Sequence, residues 1–384
     1  MIFDNLTIIA CVILAVLTLF GIVASPFARV IKNDDADEGV GDGGPDKMPP
    51  LTVVVLAHNN PETLDEHLPL ILTQDYKAGF EVVVVGEKGN MEIEAVLGKY
   101  ANDQRLYTTN IPKRSLFMSK AKLAAALGIK AAHNEWIVMV NATCRPSSDA
   151  WLANLARNID DTTNIVVGYC NYMEDAPSYY RFVRLRENCC ILRKAMKSTA
   201  YRSTGANIAF KRSEFIEQDG YRGNLQHVHG EYDFIVNKFA RPHSAAVALQ
   251  PEAFVRDSNY TKKAWSERCI ANTHVRHYLL HNKPVRIAYI AETVLLYATY
   301  AADITAGIYG TMASRYIMLA MAIVCLAVMI GLRTWLVKKK CTMFGEQLSV
   351  WVIPFYELSL VWFDIITRIR YAKADKHDFS THKI

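Results

Sequence analysis

A chain of 384 residues, 51% of them hydrophobic and with a formal net charge of +5, is long enough for one sizeable domain plus further elements. It is also more apolar than an ordinary soluble protein. The charge is modest and no nucleic-acid-binding signature accompanies it, which argues against a nucleic-acid partner. Among the eight cysteines there is no Cys-X-X-Cys pair and no Cys/His set at zinc spacing; Cys11 and Cys325 fall in long apolar stretches, and the scatter fits reduced thiols in a cytoplasmic domain.

In chain order, Leu6 to Ala28 (LTIIACVILAVLTLFGIVASPFA) carries no charge. At ~1.5 Å per residue it reaches across a hydrocarbon core of roughly 30 Å. The preceding MIFDN has no Lys or Arg, which favours a retained anchor (residues 1–28) over a cleaved signal peptide. Residues 29–50 are acidic and Gly-rich with almost no large apolar side chains, and read as a linker. A folded domain then runs over residues 51–285. LTVVVLAHNN is an apolar strand, PETLDEHLPLILTQ a helix opened by Pro61, and FEVVVVGEKGN a second apolar strand. A helix near Met91 to Ala101, the short segment RLYTTN and the helix SKAKLAAALGIKAAH lead to another buried strand, Trp136 to Val140. Apolar runs alternating with helices predict an α/β domain whose parallel sheet is covered on both faces. Ligands of such sheets bind beyond the carboxyl ends of the strands, which directs attention to His58-Asn59-Asn60, Gly86-Glu87-Lys88 and Asn141-Ala142-Thr143.

Arg181 to Arg202 (RFVRLRENCCILRKAMKSTAYR) is basic with interspersed apolar residues. It is expected to lie on a membrane surface, with its cations at lipid phosphates. The alternative is a helix packed on its own domain with a solvated basic face. Residues 286–384 form a C-terminal membrane region with spans near 287–310 and 316–337, an interfacial or re-entrant segment at 348–366, and a basic tail. Glu292, Asp303, Glu357 and Asp364 fall in these segments, and such carboxylates face a protein interior or a polar cavity. Arg29 and Lys32, the run Lys338 to Lys340 and the basic tail mark the cytoplasmic side. The N-terminus is then outside, the main domain cytoplasmic, and the protein a multi-pass one of the inner (plasma) membrane.

Several stretches resemble a membrane-bound family 2 glycosyltransferase of the GT-A fold, a Rossmann-like domain that binds nucleotide-diphospho-sugars. VVVLAHNNPETLDEHLPLILTQDY and FEVVVVGEKGN are similar to the family's two nucleotide-binding elements. FMSKAKLAAALGIKAAHNEWIVMVNATCRPSSDAWL follows its Lys-bearing helix and metal strand, and STGANIAFKRSEFIEQDGY and HGEYDFIVNKFA follow its acceptor loop and base segment. The match extends over roughly residues 51 to 280, in order. It departs from the family at Gly86, which stands at one of two usual aspartates and leaves Glu87 as the nearest carboxylate. Asn141 and Thr143 stand where the family's Asp-X-Asp metal ligands are usual.

The resemblance implies an inverting transfer of a sugar from a nucleoside diphosphate donor to a lipid-linked or growing saccharide, as in polysaccharide biosynthesis. It puts Glu231 at the position that takes the acceptor proton, with Asp233 beside it; the plain reading of both is a helix first turn that favours carboxylates. His58, Asn59, Glu87, Lys120, Asn141 and Thr143 are the expected donor contacts, and Asn207, Trp265 and Arg268 the expected acceptor contacts. Asn141 and Thr143 offer only neutral oxygens. Mg²⁺ or Mn²⁺ would then be held mainly through the donor diphosphate, or transfer would be metal-independent. The alternative is an inactive GT-A scaffold that binds saccharide or supports a partner transferase.

Overall fold

The structure is a computed structural model that describes residues 5–29, 31, 48–57, 60–115 and 117–374. Two compact units divide the chain, residues 1–30 with 281–365 and residues 31–280 with 366–384. The chain opens with helix α1 (Asn5–Val23) of the first unit.

The second unit is α/β. Its elements in order are β1 (Leu51–Leu56), α2 (Pro61–Leu72), β2 (Phe80–Glu87), α3 (Met91–Gly98), β3 (Leu106–Ile111), α4 (Lys120–Ala131), β4 (Trp136–Asn141) and β5 (Cys144–Pro146). There follow α5 (Trp151–Ala156), β6 (Ile165–Gly168), β7 (Cys170–Tyr172), α6 (Ser178–Lys197), β8 (Ile208–Lys211), α7 (Arg212–Glu217), α8 (Glu231–Phe239), β9 (Ala245–Ala248), β10 (Val255–Asp257) and α9 (Lys262–Val275). The main sheet has the order β3-β2-β1-β4-β8-β6-β9, in which only β8 runs antiparallel to its neighbours. Every residue of β1 is buried, because helices cover both faces of a parallel sheet, and this is why the strand reads as an unbroken apolar run. The helix α4 lies close on the sheet: a Cβ at Gly128 would come within 2.4 Å of the Val54 side chain.

A second sheet, β5-β10-β7, forms beside the end of β4. Its register sets Asp257 opposite Cys144 on one side and Tyr172 on the other. That register brings Asp257 beside Thr143, more than a hundred residues earlier in the chain.

The helix α6 corrects one expectation. Arg181, Arg184 and Arg186 are buried together with Phe182, Leu185, Ile191 and Leu192, so the helix packs into its own domain and does not offer these arginines to a membrane surface. Burial of the arginines follows from buried partners such as Asp257, which no local reading of α6 supplies.

The first unit holds α1 together with α10 (Asn282–Met312), α11 (Tyr316–Met343) and α12 (Ile353–Lys373), whose last residues belong to the second unit. Helical segments 282–312, 316–343 and 350–373 are each long and apolar enough to cross a membrane, and α1 contributes a shorter apolar helix. The helices α10 and α11 form an antiparallel hairpin that closes tightly where Gly310 meets Leu319. Arg315, just before α11, and Arg333 within it donate to Thr7 Oγ1 (2.7 Å) and to the Gly21 carbonyl (2.6 Å), so α1 runs parallel to α11.

Tyr289 donates to the Asp364 carboxylate and Tyr297 to the Leu358 carbonyl, so positions that ascend α10 descend α12. The helix α12 is therefore antiparallel to α10 and parallel to α11. Arg333, buried at 2% exposure, pairs with Glu357 near the start of α12 (2.9 Å) and with Glu292 of α10 (3.1 Å). Because Arg333 lies well before the end of α11, the connection 344–352 runs back along that helix before α12 begins. Glu292, Asp303 and Glu357 are all buried inside the unit, as intramembrane carboxylates require.

Candidate active site

A cavity of about 410 Å³ opens in the α/β unit, lined among others by Asn141, Thr143, Glu231, Asp233, Trp265 and Arg268. The sequence expectations named all six, and the fold brings them together. Glu231 is the first residue of α8. Gly230 before it has φ +94°, and a Cβ there would come within 2.7 Å of the Phe234 ring, so the entry to the helix takes glycine.

The loop before Gly230 is held from beneath by Lys122. Its ammonium, wholly buried, donates to the carbonyls of Asn224 (2.7 Å) and His227 (2.5 Å) and sits 4.7 Å from the centre of the Phe234 ring. Tyr221 adds a hydrogen bond to the Glu231 carbonyl (2.7 Å). Burial pushes Lys122 down to about 7, against the pull of the nearby Glu231 carboxylate. The same burial raises Glu231 above the ordinary carboxylate value, offset in part by its own backbone N–H and by the Lys122 charge.

The two carboxylates of α8 differ in what they touch. Asp233 accepts from the Ser203 N–H (3.0 Å), the Ser203 hydroxyl (2.6 Å) and Arg202 Nε (3.0 Å), so both its oxygens are engaged by the protein. Glu231 makes no side-chain hydrogen bond to another residue among those described, and lines the cavity. A carboxylate of this kind can take a proton from a bound hydroxyl; one already holding three donors serves to fix the loop at 202–203.

At the end of β4, Thr143 is buried and its hydroxyl donates to Asp257 Oδ1 (3.0 Å). The other oxygen, Oδ2, accepts from Arg184 (3.1 Å) and Arg268 (2.7 Å). Burial works to raise the Asp257 carboxyl, but the two guanidiniums outweigh it and hold the group below its ordinary value. A divalent cation does not fit these donors. Asn141 and Thr143 bring neutral oxygens, the Thr143 hydroxyl is spent on Asp257, and the Asp257 oxygens face two positive charges. Among the described residues no group of three or more His, Cys, Asp and Glu is arranged to hold a metal.

Trp265, near the start of α9, stacks on Tyr180 with ring centres 4.0 Å apart and planes 8° from parallel. Both rings line the cavity, and flat apolar faces with a polar edge suit the C–H faces of a sugar. Deeper in the wall, Glu187 joins Arg202 and Arg276; burial pushes its carboxyl up, and the two arginines bring it down to about 2.

The remaining expected residues lie elsewhere. Lys120 pairs with Glu87 (2.9 Å) at the carboxyl end of β2, and neither lines the cavity. Asn207 is fully buried at φ +110°. Its carbonyl oxygen accepts from Trp151 Nε1 (3.1 Å), and its amide nitrogen donates to Tyr169 (3.0 Å) and Ala253 (2.9 Å) carbonyls, so the side chain ties separate segments of the unit together. His58 and Asn59 lie outside the described residues. Lys122, Arg184, Arg202, Glu187, Tyr180 and Asp257 were not anticipated. Lys122 alone had a local signal, since 122, 125 and 129 share one helical stripe and the last two are apolar.

Known proteins share this fold. The family model of glycosyl transferase family 2 matches residues 52–230. The solved mannosyltransferase PcManGT from Pyrobaculum calidifontis, in complex with GDP-Man and Mn²⁺, superposes with a TM-score of 0.52 at 18% identity, covering 88% of this chain and 96% of that one. TarS from S. aureus, in complex with UDP-GlcNAc, gives a TM-score of 0.42 at 13% identity, covering 82% and 92%. Comparison with curated protein sequences gives no match. Residues 52–230 are thus similar to glycosyl transferase family 2, the fold is the GT-A fold that PcManGT shares, and the chain has helices long enough to cross a membrane. The family match ends just before Glu231, so the part assigned to that residue rests on its geometry.

Proposed function

We propose that the protein is an inverting hexosyltransferase that moves a sugar from a nucleoside diphosphate donor to a lipid-linked or growing saccharide. The observation that carries this reading is the Glu231 carboxylate, raised by burial and making no side-chain hydrogen bond to another of the described residues, in the lining of a cavity with an aromatic platform on one wall and fixed arginines on another. In a single displacement the acceptor hydroxyl oxygen attacks the anomeric carbon while the bond from that carbon to the donor diphosphate breaks. The electron pair leaves on the diphosphate, and the hydroxyl proton passes to Glu231. Asp233, engaged by Arg202 and Ser203, positions the helix that carries Glu231. PcManGT, described with GDP-Man and Mn²⁺, supports a nucleotide-sugar donor. Glu87 and Lys120, which lie outside the cavity lining, remain proposed donor contacts together with His58 and Asn59.

We further propose a multi-pass protein of the inner (plasma) membrane, with residues 51–285 at the cytoplasmic face and the N-terminus outside. The Lys and Arg distribution supports that orientation. The parallel course of α11 and α12 supports a final segment that re-enters the membrane and returns its tail to the side of Lys338 to Lys340.

A second reading, a scaffold that binds saccharide or supports a partner transferase, is favoured by the neutral pair Asn141 and Thr143. Incubation of the full-length protein with a panel of nucleotide sugars and membrane lipid extract decides between them. Transfer of label with release of nucleoside diphosphate, and inversion at the anomeric carbon by NMR, are expected. Binding without release across the panel would leave the scaffold.

A further inference from the structure

In place of a metal site, the end of β4 holds a fixed cation. Arg268 and Arg184 share the one carboxylate of Asp257, which leaves one positive charge in excess at the point where the strand meets the cavity. The two arginines differ in access. The side chain of Arg184 is 6% exposed and donates also to Cys170 Sγ (2.9 Å), whereas that of Arg268 is 33% exposed and lines the cavity. Arg268 is pinned by Asp257 and by Tyr172, over whose ring its guanidinium lies at 5.5 Å, and it keeps further N–H donors for a ligand.

The backbone around it is shaped to the guanidiniums. Gly205 has φ +117°, and a Cβ there would lie 2.9 Å from Arg184 Nη2 and 3.5 Å from Arg268 Nη2. Thr143 completes the arrangement by donating to the Asp257 oxygen that the arginines leave open. An aspartate at 143 would set a second carboxylate against Asp257, so threonine is the residue type this network accepts.

We propose that Arg268, held by Asp257 and backed by Arg184, occupies the place of a divalent cation and neutralises the donor diphosphate as it leaves, so that donor binding and transfer need no metal. The inference rests on the reading of the chain as a nucleotide-sugar transferase. It moves Arg268 from the acceptor to the leaving group: the guanidinium receives the negative charge that develops on the diphosphate oxygen while Glu231 takes the proton of the acceptor hydroxyl. Guanidinium suits this because its planar donors match phosphate oxygens in pairs.

The test is calorimetric titration of the full-length protein in detergent with UDP, GDP, uridine and guanosine, each in EDTA and in Mn²⁺. One of the two diphosphates is expected to bind equally well in both conditions, and its nucleoside much more weakly. Arg268→Met should weaken that binding by about tenfold to a hundredfold, as expected for losing hydrogen bonds to a charged group, and Arg268→Lys by less. Should Arg268→Met not fold, Asn141→Asp supplies the second arm. A carboxylate added beside the diphosphate should weaken its binding in EDTA, and Mn²⁺ should restore it. Wild-type binding that appears only with Mn²⁺, or an Arg268→Met protein that binds like wild type, would overturn the inference and leave the transferase reading standing. No binding of either diphosphate in either condition would overturn both.

Discussion

The Lys122 ammonium reaches two loop carbonyls and the face of Phe234 at once, and through that loop it sets where Glu231 enters the cavity. Two consequences separate its electrostatic part from its structural one. Glu231 must be ionised to accept a proton, and burial has raised it. Activity should therefore fall as pH drops through a midpoint above the ordinary carboxylate value of 4.5. Replacing Lys122→Met removes the cation that partly holds Glu231 down, so the acid limb of kcat should move to still higher pH, while the lost hydrogen bonds cost about 1–3 kcal/mol of stability. A variant with an unmoved acid limb would show that the lysine acts on the loop alone. In the sequence SKAKL the two lysines look alike, and attention fell on Lys120. Only the inward stripe 122-125-129 tells them apart, and a buried lysine is so uncommon that the stripe carries little weight before its acceptor carbonyls, about a hundred residues further on, are known.

Among the elements, the strands were the most legible. The runs that became β1, β2 and β4 are apolar because both faces of a central parallel strand are covered, and that pattern needs no distant information. The helix α6 was the least legible, because its arginines read as surface cations until a partner such as Asp257, for Arg184, is known, and because its Glu187 meets Arg202 and Arg276 from outside the helix. Glu187 gives this packing a measurable signature. Its carboxyl is held down to about 2 in the folded protein against 4.5 ordinarily, so its contribution to stability is complete above about pH 4.5 and is lost as pH falls toward 2. Glu187→Gln takes the shared carboxylate from the exposed Arg276 and from the buried Arg202, which keeps Asp233. It should lower stability by about 1–3 kcal/mol at neutral pH and flatten the acid limb of the melting-temperature profile between those values. A variant that melts like wild type at pH 7 would place α6 on the surface after all.

For the whole molecule, the proposed topology has the last segment re-enter and return to the side from which it came, because α12 runs parallel to α11. Cysteines introduced at Lys339 and Lys373 should resist impermeant maleimide added to intact cells, while one at Ser314, in the turn between α10 and α11, should react. Labelling at Lys373 alone would mean that α12 crosses, against the contacts of Tyr289 and Tyr297. The order of strands and loops over residues 51 to 280 was enough to find the glycosyltransferase fold, because order and spacing survive where single motif residues do not. The network around Asp257 stayed hidden, since the sheet register of β10 with the distant β5 and β7 creates it. The central claim is that this domain transfers a sugar with Glu231 as its base, and Glu231→Gln tests it most directly, since the amide keeps the shape of the side chain and loses its ability to accept a proton. With the donor and acceptor that the wild type uses, kcat should fall by about 10² to 10⁴ while donor affinity stays the same. A Glu231→Gln protein that turns over at the wild-type rate would contradict the account.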